Sequence, residues 1–307
     1  MLSSLHDAAL TRFQPLDWVL SYDDFDRGFN GWMDLKPNWT QAGFNPVKST
    51  VDKTQWGPIM LSSSTFAWAG THGSLDGTYS LKLCTRPVAN RYEEPPAPGA
   101  LSHAIKRLSR YKPIKDLQLE MFYTYTPEQD RIGLGEKDIR AFGVLFDIQD
   151  ERCRTYAGVR YLNSVNGELH QRWQHVAAAD VTDEEWAYGN KGEFNKRGVD
   201  PFWYGRRRSD GTTDGFAEIE GGQQLLCYNE SDDKFNWLYL RLLIDLENLR
   251  YVELQSGDQT FDLRQYELTQ STQYKNINGL INPLLWVEND TDRRVMLMVD
   301  SVMVTAR

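Results

Sequence analysis

The side chains with the most chemistry to offer alternate along two hairpins. Asn166-Gly167 is a two-residue turn signal, because both central positions of such a turn need positive φ. A two-residue loop there sets Val165 opposite Glu168 and Arg160 opposite Trp173. Period-two alternation then gathers Tyr156, Arg160, Gln171, Trp173 and His175 on one side, and Ala157, Val159, Tyr161 and Val176 on the other. The stretch WLYLRLLID (237–245) repeats the pattern. Leu238, Leu240, Leu242 and Ile244 form an apolar stripe, and Trp237, Tyr239 and Arg241 point away from it. In the following strand Val252 and Leu254 are expected inward, with Tyr251, Glu253 and Gln255 outward. Faces that mix Trp, Tyr, Arg and Gln suit a sugar: the apolar face of a pyranose stacks on an aromatic ring, and vicinal hydroxyls take paired hydrogen bonds from guanidinium, amide or carboxylate groups. The same face also reads as cross-strand Arg–Trp packing, or as a surface buried between subunits.

Other chemistry finds weaker support. Phosphate-loop, dinucleotide, serine-elbow and H-E-x-x-H patterns are absent from the sequence. Of the five histidines only His170 and His175 lie close, and a spacing of five on a strand puts them on opposite faces. A glycosidase needs two carboxylates across a sugar. Glu218/Glu220, Glu128/Asp130 and Glu136/Asp138 have the i, i+2 spacing that a strand would place on one face, although 43 acidic residues make such pairs common by chance. The run Arg206-Arg207-Arg208 reads as a solvated loop tip.

The elements that must hold these residues are strands. Twelve Pro and 23 Gly punctuate runs rich in Val, Ile, Leu and aromatic residues, and only 3–12 and 180–190 read as helical. Strands are expected at 117–126, 139–147, 155–163, 169–177, 237–245, 250–255, 284–288 and 295–304, with a short one at FDL (261–263). Long loops are expected at 86–100, 127–138 and 189–223. The fold class is therefore all-β: one large jelly-roll β-sandwich of two antiparallel sheets over 1–307, with residues 1–20 as an N-terminal extension and 189–223 as a loop insertion.

Three motifs add a resemblance. DDFDRGFNGW (23–32), GTHGSLDGTYSLKL (70–83) and MVDSVMV (298–304) resemble the opening, second-strand and closing signatures of jelly-roll carbohydrate-binding modules, in the galactose-binding-like and concanavalin A-like branches. The middle stretch GLGEKDIRAFGVLFDIQD resembles an uncharacterised bacterial family of about this length. The module resemblance implies a structural Ca²⁺ held by Asp26 and Asp300, which would tie the first strand to the last. Ser301 stands where many modules carry a second Asp. The other reading leaves Asp26 capping a turn and Asp300 solvated.

Composition bounds the partners. The net charge of −9 disfavours nucleic acid and anionic membrane surfaces. No spanning segment or signal peptide is apparent, and Cys84, Cys153 and Cys227 form no metal or disulfide spacing, so reduced, mostly buried thiols in the cytoplasm are expected. The leading functional expectation is recognition of a small saccharide or glycoside. A glycoside hydrolase or lyase on the same scaffold is the alternative, and a homodimer that buries the aromatic face over Trp173 and Trp237 is the third reading.

Overall fold

The computed structural model describes residues 10–34, 59–63, 74–85, 89–90, 97–98, 101–110, 112–127, 135–151, 153–165, 167–177, 216–229, 236–271, 279–289 and 294–307. Expected features in 3–9, in 180–190, in FWYGRRR and in most of the three long loops lie outside these residues. The strands in chain order are β1 Trp18–Asp23, β2 Met33–Asp34, β3 Ile59–Ser63, β4 Tyr79–Cys84, β5 Ala89–Asn90, β6 Ala97–Pro98, β7 Leu101–Ile105, β8 Leu108–Ser109 and β9 Asp116–Pro127. Next come β10 Ala141–Gln149, β11 Arg154–Val165, β12 Glu168–Val176, β13 Phe216–Gln223 and β14 Leu238–Asp245. The chain closes with β15 Arg250–Ser256, β16 Gln259–Asp262, β17 Thr269–Ser271, β18 Leu280–Glu288 and β19 Val295–Ala306. Short 3-10 turns at Leu10–Arg12 and Glu136–Asp138 are the helical segments of the described chain.

Two antiparallel sheets form a β-sandwich. One has eight strands, in the order β16-β15-β14-β9-β19-β4-β3, with β1 also on β19. The other has nine, in the order β13-β12-β11-β10-β18-β7-β2, with β17 on β11 and β8 on β18. The first and last of the described strands pair, Tyr22 opposite Met303. The expected strands are all present within a few residues, and Phe216–Gln223, expected inside a loop, is a strand instead.

The core lies between the sheets. Leu119, Met121, Leu240, Leu242, Ile244 and Leu254 of one sheet meet Phe142, Val144, Phe146, Val159, Leu285 and Val287 of the other. β14 shows the alternation that a half-solvated strand requires, and its Leu stripe packs inward. β10, β18 and β19 are buried almost throughout, on both faces. For the nine-stranded sheet that means a second, non-core face withdrawn from water.

Two β-bulges change what the sequence pattern says about faces. In β11–β12 the turn pairs Val165 with Glu168 as expected, but the register slips between Leu162 and Ser164. Beyond the slip Tyr161, not Arg160, faces Trp173, and Arg160 faces Gln174. Gln171 absorbs the extra residue at φ 49, the left-handed region. In β14–β15 a slip after Leu243 sets Ile244 opposite Tyr251. Tyr251 therefore points into the core at 0% exposure, against the expectation, while Val252 is half-buried. Its hydroxyl reaches across the sandwich, accepting from Gly158 N at 2.9 Å with the carbonyl of Val176 3.2 Å away.

Candidate functional site

The eight residues expected to bind a sugar do not share one surface. Trp173 is wholly buried, tilted at 58° against Tyr161 with ring centroids 5.3 Å apart and edge-on at 6.0 Å to Phe142. Its indole N–H donates to Gln224 Oε1 at 2.8 Å, and Gln224 Nε2 donates to Ser256 O in the opposite sheet at 2.9 Å. That core position removes Trp173 from any subunit interface. His175 also turns inward, 4.1 Å from the Tyr266 ring and 5.5 Å from Tyr251. Burial lowers its pKa. Gln171, at the bulge, donates to Glu136 Oε1 at 2.5 Å.

Tyr239 and Arg241 do point away from the core, but the chain's own residues 12–16 cover them. Gln14 N donates to Glu120 Oε1 at 2.7 Å, and Gln118 Nε2 donates to Gln14 O at 2.7 Å. Arg241 reaches Gln14 Oε1 at 2.5 Å and is ion-paired with Glu253, and Tyr239 donates to Glu120. Phe13 seals the strap edge-on against Phe122 at 5.4 Å. Trp237 is half-buried just before β14.

The second face of the nine-stranded sheet carries the polar and aromatic mixture that was expected, built from partly different residues. Cα pairing runs His103, Trp286, Gly143, Arg160, Gln174, Glu218 straight across β7, β18, β10, β11, β12 and β13. Neighbours on an antiparallel row share a face. Gly143 is the gap in that row: a methyl there would come within 2.3 Å of the Trp286 ring, so the glycine lets the indole lie down on the sheet. Arg160 Nε donates to Gln174 Oε1 at 3.0 Å, its Nη1 lies 3.3 Å from Glu288 Oε1, and its guanidinium sits 3.9 Å over the Phe216 ring. Arg140 approaches the other oxygen of Glu288 at 3.4 Å. Burial pulls Arg160 down to about 10; Glu288 opposes that fall and Arg140 adds to it. Further along, Asp147 receives Arg154 on both oxygens at 2.6 and 2.7 Å and Asn282 Nδ2 at 3.2 Å. Tyr156 lies under Arg154, 5.3 Å from its guanidinium. Tyr156, Arg160, Trp286, Glu288, His103 and Asp147 are all at most 3% exposed. Of the expected binding set, Tyr156 and Arg160 belong to this face.

Trp286, Gln174 and Glu288 were missed. For Gln174 the bulge hides the face. For β18 the signal was available: Ile281, Leu285 and Val287 face the core, which leaves Asn282, Trp286 and Glu288 to the other side.

The row ends at solvent. Glu218, with its side chain 59% exposed, pairs with Arg172 at 2.6 Å. Both line a cleft of about 300 Å³ with Gln223 and Tyr266. A second cleft of about 630 Å³ shares Glu220 and Gly221 and continues along Gln259, Asp262, Arg264 and Gln265 of the other sheet's edge.

Asp26 and Asp300 join the three motifs, through hydrogen bonds. Asp26 Oδ1 accepts from Thr78 N at 2.6 Å and Tyr79 N at 2.8 Å, and Asp300 Oδ1 accepts from Leu75 N at 2.6 Å and Asp76 N at 3.2 Å. A side chain at Gly77 would strike the Asp26 carboxylate at 2.2 Å. Among the described residues no group of three or more His, Cys, Asp or Glu gathers to hold a metal. Each aspartate thus commits one oxygen to amides of the 75–79 turn. The three cysteines are free, and Cys84 alone of them is buried.

Fold and site define an all-β sandwich with a polar row on the non-core face of its larger sheet. The chain belongs to the family described as Domain of unknown function (DUF6772), whose model matches residues 2–307. No curated protein matches it. Among solved structures it is similar to the Emp47p carbohydrate recognition domain, at 10% identity and TM-score 0.36, covering 89% of this chain and 99% of that one. It is similar to alginate lyase vAL-1 from Chlorella virus, at 10% identity and TM-score 0.38, covering 83% and 94%. It is also similar to the lectin UEA-II complexed with galactose, at 4% identity and TM-score 0.39, covering 81% and 92%.

Proposed function

We propose that this protein recognises a small saccharide or glycoside on the polar face of its nine-stranded sheet. The observation that carries the reading is the row from His103 through Trp286 and Arg160 to Gln174 and Glu218, flanked by Glu288 and Asp147. A sandwich needs one apolar face per sheet, and this is the other one. Burying Arg140, Arg160 and Glu288 costs solvation that an apolar set of similar volume would avoid. Groups kept at that cost, away from the core, are the usual mark of a functional site. Guanidinium, amide and carboxylate groups match vicinal hydroxyls, and Trp286 and Tyr156 match the apolar face of a sugar ring. The row opens to solvent at Glu218 and Arg172, and the ligand reaches it from that end. The free cysteines support the cytoplasmic setting included in this reading.

The test is calorimetry and thermal shift of the full chain against mono- and disaccharides, with Arg160→Met and Gln174→Leu beside it. Saturation at a hundredfold excess over Kd adds about 2.7 kcal/mol to stability. Binding by the unaltered protein, weakened at least about tenfold in either variant, is the expected result. Silence across the whole panel, or binding that both variants keep, refutes the sheet-face site. The same mixtures, assayed for released reducing ends, decide whether the bound sugar is also turned over.

A further inference from the structure

We infer that the larger open cleft, at the seam of the two sheets, is a second binding site, for a small polyol carrying an ammonium group, the chemistry of an amino sugar; it uses none of the buried residues of the polar row and stands or falls apart from the sheet-face reading. The cleft holds about 630 Å³, a volume that suits a small ligand. Its walls come from different sheets: Glu220 from β13, and Gln259, Thr260 and Asp262 from β16, each strand the last in its sheet. Glu220, Gln259 and Thr260 are exposed, and nearly buried Phe261 supplies the apolar part of the lining. The walls are fixed before any ligand arrives, because Tyr266 ties them together. Its hydroxyl accepts from Glu220 N at 2.8 Å, its own N–H donates to Leu263 O at 2.9 Å, and its carbonyl accepts from Tyr251 N at 3.0 Å. Its ring rests 4.1 Å from His175 of the other sheet. Leu263 N donates to Val252 O at 3.0 Å, which holds the chain just after β16 to β15. Walls already ordered spare the ligand the entropy of ordering them.

Charge selects the ligand. Arg264 is committed to Asp262, through Nη2 at 2.5 Å and through Nε to both oxygens at 2.9 and 3.1 Å. Arg172, in the adjoining smaller cleft, is committed to Glu218 at 2.6 Å. Glu220 lines both clefts, and among the described residues no cation pairs with it; its carboxylate meets the Gln265 amide at 3.4 Å. Once the two ion pairs cancel, its negative charge is the one left over. An ammonium group supplies what that carboxylate lacks, a positive charge and three donors. Around it the amides of Gln259 and Gln265 and the hydroxyl of Thr260 both donate and accept, and the hydroxyls of a polyol answer both. A carboxylate or phosphate on the ligand would instead be repelled by Glu220. The chain's net charge of −9 favours a cation in the same way.

The experiment is titration calorimetry of the full chain with glucosamine, galactosamine and mannosamine, with their N-acetyl forms and with the corresponding neutral hexoses, at a pH that keeps the amines protonated. Glu220→Gln removes the charge at an exposed position, where a substitution leaves the fold intact. Arg160→Met on the sheet face is the control. One amino sugar is expected to bind, with its N-acetyl and neutral counterparts weaker by about tenfold or more. Glu220→Gln should lose about the same factor, Arg160→Met should lose nothing, and added salt should weaken binding by the unaltered protein. The inference is overturned if no amino sugar binds, if the N-acetyl or neutral forms bind as tightly, or if Glu220→Gln keeps full affinity. Amine binding lost in Arg160→Met but kept in Glu220→Gln also overturns it and moves the amine to the sheet face. Neutral-sugar binding that needs Arg160 and survives Glu220→Gln, beside amine binding with the opposite dependence, supports two separate sites.

Discussion

Replacing Trp173 with alanine separates a core indole from a surface one by a wide margin. In the structure the side chain is 0% exposed, packed on Tyr161 and Phe142, and its N–H is the donor to Gln224. Emptying such a site costs about 3–5 kcal/mol through lost transfer energy and the cavity left behind. Gln224 Oε1 also loses its donor while its Nε2 stays tied to Ser256 O of the opposite sheet, and a buried acceptor left unmatched costs about 1–3 kcal/mol. These two costs overlap, so the expected loss is about 4 kcal/mol, a large share of the 5–15 kcal/mol that holds a typical domain together. Trp173→Phe keeps most of the volume and drops the N–H, so about 1–3 kcal/mol is expected. Urea unfolding followed by circular dichroism reads both. A surface indole would cost no more than about 0.5 kcal/mol on truncation. A value that small for Trp173→Ala would refute the bulge, because the bulge is what carries this residue inside.

Three further outcomes follow from other buried groups. Burial lowers His103 to about 3, below its ordinary 6.5, so the unfolded chain takes up the proton first and stability present above pH 6.5 is lost on acidification by about 1.4 kcal/mol per pH unit. Urea midpoints of His103→Gln should fall less steeply than the parent's between pH 6.5 and about 3, and equal slopes would place this imidazole in water. Burial raises the Asp300 carboxyl above its ordinary 3.8, against the pull of the Asp76 and Leu75 amides. The native state therefore holds that proton more tightly, and stability falls as pH rises from 3.8 through the raised value. Asp300→Asn keeps an acceptor for both amides and cannot ionise, so it should match or exceed the parent in urea at neutral pH. A loss beyond about 1 kcal/mol there would show that the charge itself, as in a cation site, holds the 75–79 loop. Tyr251→Phe strands Gly158 N in the core and should cost about 1–3 kcal/mol in the same assay, while a neutral result would return Tyr251 to the outer face.

Strand content was legible because it rests on period-two patterning and on turn chemistry. The Leu238–Ile244 stripe, the Val165–Glu168 hairpin and the apolar β10 and β19 all sit where the pattern put them. Faces were legible only up to the first bulge. Tyr156 and Arg160 lie on the side expected, since no slip precedes them in β11, whereas Trp173 and Tyr251 lie beyond slips that local composition does not mark. A bulge in a non-glycine residue such as Gln171 is a tertiary decision, taken when the core gains more from the indole than the backbone loses in the left-handed region. The strap was illegible for a similar reason. Nothing in Phe13-Gln14 announces that its backbone N–H and C=O will be met by Glu120 and Gln118, which lie more than a hundred residues away.

The bulge at Gln171 is also what sets Gln174 beside Arg160 in the polar row. With ideal pairing Arg160 would face Trp173, and the row would place an indole between guanidinium and solvent. One extra residue at Gln171 sends Trp173 into the core, where it bonds to Gln224, and brings Gln174 beside Arg160, where its carbonyl oxygen accepts from the guanidinium. Gln174 in turn faces Glu218 in the β12–β13 pairing, which carries the row out to β13 and to the cleft. Core packing and site construction are thus coupled through a single backbone irregularity. Substitutions that relax the left-handed turn at Gln171 would disturb both together, and those that trim Trp173 without moving the backbone would weaken the core while leaving the row in register.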